Sequence, residues 1–230
     1  MDENSHYIRF AAAYVRGQQL RQLELPAQLL CKSFIELTDE DCAELLQLAT
    51  EQGLRLHSFK KTMGLPRVSR VLGTLRGLAP LSLLDVGSGR GVFLWPLLQA
   101  FSHLEVRSID LDEFHVDKIN AVNRGGVSNV AGEVMDLCQL AYEDDHFDVI
   151  TALEVLEHIK DYHRAIDELV RVAKSFVVIS VPSKEDDNPE HINLFTGKVL
   201  KELFLSAGAK SVTVDYVLNH IVLVVRVKND

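Results

Sequence analysis

Residues 83–91 read Leu-Leu-Asp-Val-Gly-Ser-Gly-Arg-Gly, an apolar run that ends in Asp85 and then sets glycine at alternate positions 87, 89 and 91. Glycine has no Cβ, so this stretch can turn sharply and bring main-chain N–H groups close to a bound molecule. A helix over Val92–Phe101 would add its unpaired first amides at the same place. Pro96 is tolerated there only near the first turn, which sets the helix start near Phe93. Asp110, 19 residues after Gly91, ends Ser-Ile-Asp, and a carboxylate at that point can accept from two neighbouring hydroxyls. Farther along, Glu154, Glu157 and His158 stand at i, i+3 and i+4, a spacing that gathers side chains on one side of a helical turn. His191 lies in Pro-Glu-His-Ile-Asn. Carboxylates and imidazoles together can move protons or ligate a divalent ion.

Those residues need strands and helices to bring them together. From Leu81 onward, β-rich runs at Leu81–Asp85, Val106–Asp110, Phe147–Leu153 and Phe176–Val181, with a weaker one near Asn129–Glu133, alternate with helical patterns. Tyr162, Ala165, Ile166, Leu169, Val172 and Ala173 line one helix face, and Thr196 caps a helix carrying Val199, Leu200, Leu203 and Phe204, with Gly208 after its end. Such alternation predicts a parallel sheet with helices on both faces. The runs Val212–Val217 and Ile221–Val227 are too close for a crossover helix and should pair antiparallel. In a sheet of this kind ligands bind outside the carboxyl ends of the strands, where the glycine loop, Asp110 and Glu154 all fall. Before residue 78 the pattern is helical: Thr38 and Asp41 form a cap, Leu45, Leu46, Leu48 and Ala49 a stripe, Gly53 a stop, and Val68, Val71, Leu72 and Leu75 a second stripe. Residues 1–78 are therefore expected to be a helical cap or lid, and 79–230 the core.

Composition sets the class. With 47% hydrophobic and 25% charged residues in 230, the chain has the balance of a globular protein. No apolar stretch approaches the length of a membrane span, and the acidic start Met1-Asp2-Glu3 is followed by no apolar signal region, so a cytoplasmic location is expected. Cys31, Cys42 and Cys138 make no Cys-x-x-Cys pair and are odd in number, which predicts reduced, structural thiols. The net charge of −9 weighs against general nucleic-acid binding. Between Gln52 and Leu84, however, stand Arg55, Lys60, Lys61, Arg67, Arg70 and Arg76 with no acid. They form either a solvated helical face or a docking patch for an anionic substrate.

A dinucleotide loop would need glycine at position 92, where Val92 stands. The spacing Asp-x-Gly-x-Gly-x-Gly resembles instead the class I S-adenosylmethionine-dependent methyltransferases. The likeness continues through Asp110, through Gly-Glu-Val-Met-Asp136-Leu137, and through Phe147-Asp-Val-Ile with Glu154-Val-Leu-Glu-His158 after it. It spans roughly residues 80–228. It implies a Rossmann-like, doubly wound α/β fold with a seven-stranded, mostly parallel sheet whose last strand is antiparallel. It also implies that Asp85, Gly87, Ser88, Gly89 and Gly91 cradle the methionine and ribose, that Asp110 and Leu111 take the ribose, that Asp136 and Leu137 take the adenine, and that Glu154 borders the same site. The competing reading, a plain tight turn and ordinary surface acids, requires chance to set four motifs in order at strand ends.

A sulfonium is already a reactive methyl donor, so transfer needs mainly an acceptor lone pair held in line, and a base matters most when the acceptor is a hydroxyl. His158 and His191 are the candidate catalytic residues. Glu154, Glu157, His158 and His191 also resemble the metal set of methyltransferases acting on the 2′-hydroxyl at RNA 3′ ends. The metal-free reading is preferred, because Glu-x-x-Glu-His also occurs in methyltransferases of small molecules that use no metal. The expected reaction is O-methylation of a small metabolite; the alternatives are a metal-dependent RNA-end enzyme and an inactive cofactor-binding partner subunit. Arg55, Lys60, Lys61 and Arg67 can draw in an anionic group. Tyr7, Phe10 and Tyr14 can wall a pocket, although helix packing is the commoner use of such aromatics. His57, His103, His115, His146, His163 and His220 receive no functional role from the sequence.

Overall fold

Strand β1 (Ser82–Val86) runs up the middle of a seven-stranded sheet. On one side lie β2 (Glu105–Asp110) and β3 (Val130–Val134); on the other lie β4 (Phe147–Leu153) and β5 (Ala173–Pro182), then β7 (His220–Arg226) and β6 (Ser211–Val217) at the edge. The computed structural model describes residues 7–18, 23–59, 61 and 64–227. All pairings from β3 to β5 are parallel, whereas β7 is antiparallel to both β5 and β6. The reason is the short link at Leu218-Asn219, which turns with Leu218 at φ +50° and leaves no length for a crossover. The chain reverses its direction of growth between β1 and β4, and this leaves a crevice at their carboxyl ends.

Both faces of the sheet are covered, so alternate residues are apolar in both directions. Leu84, Ile150 and Ile179 face α7 (Tyr162–Val172) and α8 (Gly197–Ser206). Leu83, Val149 and Val178 face the opposite layer. That layer contains α4 (Pro66–Leu78), α5 (Leu94–Ala100) and α6 (Glu113–Arg124). Pro96 falls in the first turn of α5, whose N-cap is Phe93, as the missing proline N–H requires.

The amino-terminal helices join this layer rather than sitting apart from it. In α1 (Ile8–Gly17), Ala13 and Gly17 let the helix cross α6 at backbone contact. A Cβ on Gly17 would collide with the Ala121 carbonyl, and one on Gly125 with the Ala13 carbonyl. Outside α1, α2 (Ala27–Cys31) and α3 (Asp39–Glu51) close a smaller cluster of Ala12, Val15, Leu29, Leu37, Cys42, Leu45 and Ala49. The Thr38–Asp41 capping box starts α3, and Gly53 at φ +83° follows its end. Likewise Thr196 accepts from the Val199 amide at the start of α8. All three cysteines are free thiols. Among the described residues no helix is long and apolar enough to cross a membrane.

Candidate active site

The glycine loop leaves β1 with Gly87, Gly89 and Gly91 at φ +68°, +52° and +83°, a region that disfavours every residue with a Cβ. The three glycines do different work. A Cβ at 87 would stand 2.7 Å from a Val155 methyl, and one at 91 would run into the Trp95 indole, so both are bare to let a neighbour in. Only Gly89 faces open space, with nothing nearer than the Gly87 carbonyl oxygen at 4.0 Å. Beneath the loop, Asp85 is buried and accepts hydroxyl hydrogens from Ser88 and from Thr151, the latter at 2.7 Å. The Ser88 hydroxyl also meets that of Ser108. Burial pushes Asp85 up to about 6, against the two hydroxyl bonds. Asp85 and Ser88 thus brace the loop from below, and their hydroxyl–carboxylate bonds run inward.

In front of the loop lies a crevice of about 690 Å³, within the usual range for small-molecule sites. Its walls include Gly87, Gly89, Asp110, Leu111, Asp136, Leu137, Glu154 and His158. Asp110 accepts the Gly89 amide at 2.8 Å on one oxygen and the Asp112 amide at 2.9 Å on the other. Each carboxylate oxygen keeps a lone pair for a ligand hydroxyl. Leu111 is 71% exposed beside it, while Leu137 is buried against the far wall. Asp136 is exposed and holds the Cys138 amide. His115 also enters this wall, with Nδ1 3.5 Å from the Asp110 carboxylate. The sequence reading passed over it. The signal was Asp112, whose side chain caps α6 and sets His115 in the first turn, facing back toward the strand end.

The segment after β4 departs from the expected helical turn. Glu154 sits at φ +60°, outside the 3-10 turn of Leu156–His158. Its carboxylate is directed away from Glu157 and His158, accepting from Ser180 at 2.6 Å and lying 3.1 Å from His220 Nε2 and 3.7 Å from Arg67 Nε. His220 is a second histidine that sequence reasoning missed. As the first residue of β7 it is paired with Pro182, the last of β5, so antiparallel pairing delivers it to the carboxyl edge of the sheet.

Glu157, His158 and His191 do converge: one ligand atom from each lies within 4.8 Å of the others, and Glu154 is not part of the group. Glu157 is 1% exposed, and neither carboxyl oxygen has a partner among the described residues. Burial pushes it up to about 8. His158 Nδ1 is 2.9 Å from the Glu190 carbonyl, and His191 Nδ1 is 2.9 Å from Asp186. The rings meet edge to face at 4.8 Å. The loop bearing His191 is fastened to the 3-10 turn. The amides of Ile192 and Asn193 donate to the Glu157 carbonyl at 2.9 and 3.1 Å, and the Asn193 side chain donates to Ile159 at 2.8 Å.

The basic stretch is divided among several neighbours. Arg67 pairs with Glu154 and Arg70 with Asp215, while Arg55 and Lys61 line a separate cavity of about 970 Å³ with Tyr7, Leu54 and Phe59. Lys60 lies outside the described residues. Phe10 stacks on Trp95 and Tyr14 packs at a tilt against Phe59, and both are buried in the core.

The methyltransferase domain family matches residues 57–214. The chain belongs to this family. The match begins at the His57–Phe59 turn and takes in the loop, Asp110, Asp136 and the Glu157 cluster. Over 112 residues the chain is 32% identical to a 27-O-demethylrifamycin SV methyltransferase of Amycolatopsis mediterranei, covering 46% of this chain and 41% of that one. It is 28% identical over 106 residues to an ajmaline N-methyltransferase of Rauvolfia serpentina, covering 45% and 36%. The chain thus spans less than half the length of these curated relatives. In fold it is similar to a magnesium protoporphyrin IX methyltransferase from Synechocystis PCC 6803 solved with SAH bound (TM-score 0.57, 15% identity, 75% of this chain and 92% of that one). It is also similar to the [4+2]-cyclase SpnF (TM-score 0.56, 18% identity, 68% and 79%). The family's cofactor is S-adenosylmethionine. The crevice fits it in volume, in the open backbone at Gly89 and in the lone pairs left on Asp110.

Proposed function

We propose that this methyltransferase methylates a hydroxyl oxygen of a small metabolite seated where β4 and β5 end. The observation that carries the reading is an imidazole in the crevice wall with one nitrogen already committed: His158 Nδ1 lies at hydrogen-bond distance from the Glu190 carbonyl. A carbonyl can only accept, so Nδ1 carries the proton and Nε2 is left bare to take one from a hydroxyl. His191, oriented by Asp186, stands beside it in the same role. A neutral amine would have less need of such a group. The relatives named above include both an O- and an N-methyltransferase of small molecules, which supports a small acceptor and leaves the choice of atom to the histidines.

When bound, S-adenosylmethionine supplies an electrophilic methyl group. The chain's part is to hold the ribose through Asp110, the adenine between Leu111 and Asp136–Leu137, and the acceptor against His158. In this reading the amino-terminal helices border the acceptor end through Arg67, just inside α4, which reaches Glu154 at the crevice.

The test is to incubate the full chain with methyl-labelled S-adenosylmethionine and a metabolite extract, with Asp110→Ala as control. Label appearing in a small O-methyl compound, and lost with the control, is the expected result. Label on RNA ends or on amine nitrogen would replace the acceptor class, and no transfer to any extract would favour a binding subunit.

A further inference from the structure

A buried carboxyl without a hydrogen-bond partner is costly, by about 1–3 kcal/mol, and native chains seldom keep one. Glu157 is such a group: neither carboxyl oxygen has a partner on another described residue, although its carbonyl accepts the Ile192 and Asn193 amides of the loop that carries His191. Among the described residues the charged groups around it are Glu154, Arg67 and Asp186, two acids against one base. The two histidines beside it are held in matching fashion: each Nδ1 is engaged by an oxygen, from the Glu190 carbonyl in one case and Asp186 in the other. This is how oxygen partners orient imidazoles whose remaining nitrogen ligates a metal.

We infer that Glu157, His158 and His191 bind one divalent first-row transition-metal ion at the mouth of the crevice. Ligand atoms around such an ion, at bonds of about 2.0–2.2 Å, sit about 3–3.5 Å apart. The present separations are up to 4.8 Å, so the three side chains would have to draw together by about 1.5 Å around the ion. One carboxylate and two imidazoles favour Mn²⁺, Fe²⁺, Co²⁺ or Zn²⁺ over Mg²⁺ and Ca²⁺, which prefer all-oxygen shells. The set differs from the four-residue one that the sequence suggested, because Glu154 is occupied by Ser180 and His220. His158 also lines the crevice, so the ion would stand beside the acceptor. There it would bind the acceptor hydroxyl and make it more acidic. His158 would then be a ligand rather than the proton acceptor, and the proton of the acidified hydroxyl would leave to solvent water at the open mouth of the crevice. The ion's use, though not its binding, rests on the methyl-transfer reading above.

The decisive experiment titrates the metal-free full chain with Co²⁺ alone, followed by visible absorbance and calorimetry, with S-adenosylmethionine affinity measured on the same samples. One ion per chain is expected, with Co²⁺ bands that show nitrogen ligation. His191→Ala and Glu157→Gln should each weaken ion binding at least tenfold while cofactor affinity changes less than threefold. His191→Ala alters a partly exposed loop residue and so remains informative if Glu157→Gln fails to fold. Absence of saturable Co²⁺ binding by the parent chain, or equal affinity in His191→Ala, would overturn the inference. Cofactor binding without ion binding would sink the metal site and leave methyl transfer standing; ion binding without transfer to any acceptor would do the reverse.

Discussion

Asp85 shows how one side chain braces the glycine loop from within the sheet. Its carboxyl is out of water, and two hydroxyls only partly offset the loss of hydration, so its folded value is about 6 against an ordinary 3.8. Folding thus favours its protonated form. That contribution is complete below about pH 4 and is lost as pH rises through about 6, an effect on the order of 3 kcal/mol by neutral pH. Urea denaturation from pH 4 to 7 should show the parent chain losing about that much more stability than Asp85→Asn, and parallel curves would refute the assignment. The aspartate itself was legible in the sequence, because its place before the glycines is local. Its role was not, since Thr151 reaches it only through the sheet, as Ser108 reaches its partner Ser88. For the same reason Glu154 was grouped with Glu157 by spacing, and His115 and His220 were passed over.

Among the elements, the α1–α6 crossing depends on small residues at positions far apart in the chain. Gly125 has an ordinary negative φ, so its missing Cβ serves contact with Ala13 and not conformation. Gly125→Ala should therefore destabilise through the clash alone, by about 1–3 kcal/mol, read as a lower urea midpoint with an unchanged slope. If the midpoint stays put, the crossing is looser than the structure has it. Caps at Thr38 and Thr196 and stops at Gly53 and Gly208 were readable because each acts within one turn of chain. The contact of Gly91 with Trp95 was not readable in the same way, although a Cβ at 91 would run into the indole.

At the scale of the molecule, the division at residue 78 marks a change of pattern and no break in packing. Phe10, Val71 and Leu75 belong to the same apolar cluster as Leu83, Trp95 and Val106. Residues 79–230 alone would expose that face of α5 and α6, so this fragment is predicted to lack a cooperative thermal transition in circular dichroism. A sharp transition near that of the full chain would restore the picture of a detachable cap. The mostly parallel sheet with its antiparallel finish, and the place of the crevice beside the glycine loop and Asp110, were legible in the sequence alone, because strand ends and turns are set by neighbours along the chain. Which glycine is open, where Glu154 points and which histidines meet Glu157 were decided by tertiary structure. The first depends on Val155 and Trp95 packing into the loop, and the other two on β5, β7 and the His191 loop arriving from more than 20 residues away at the same edge of the sheet.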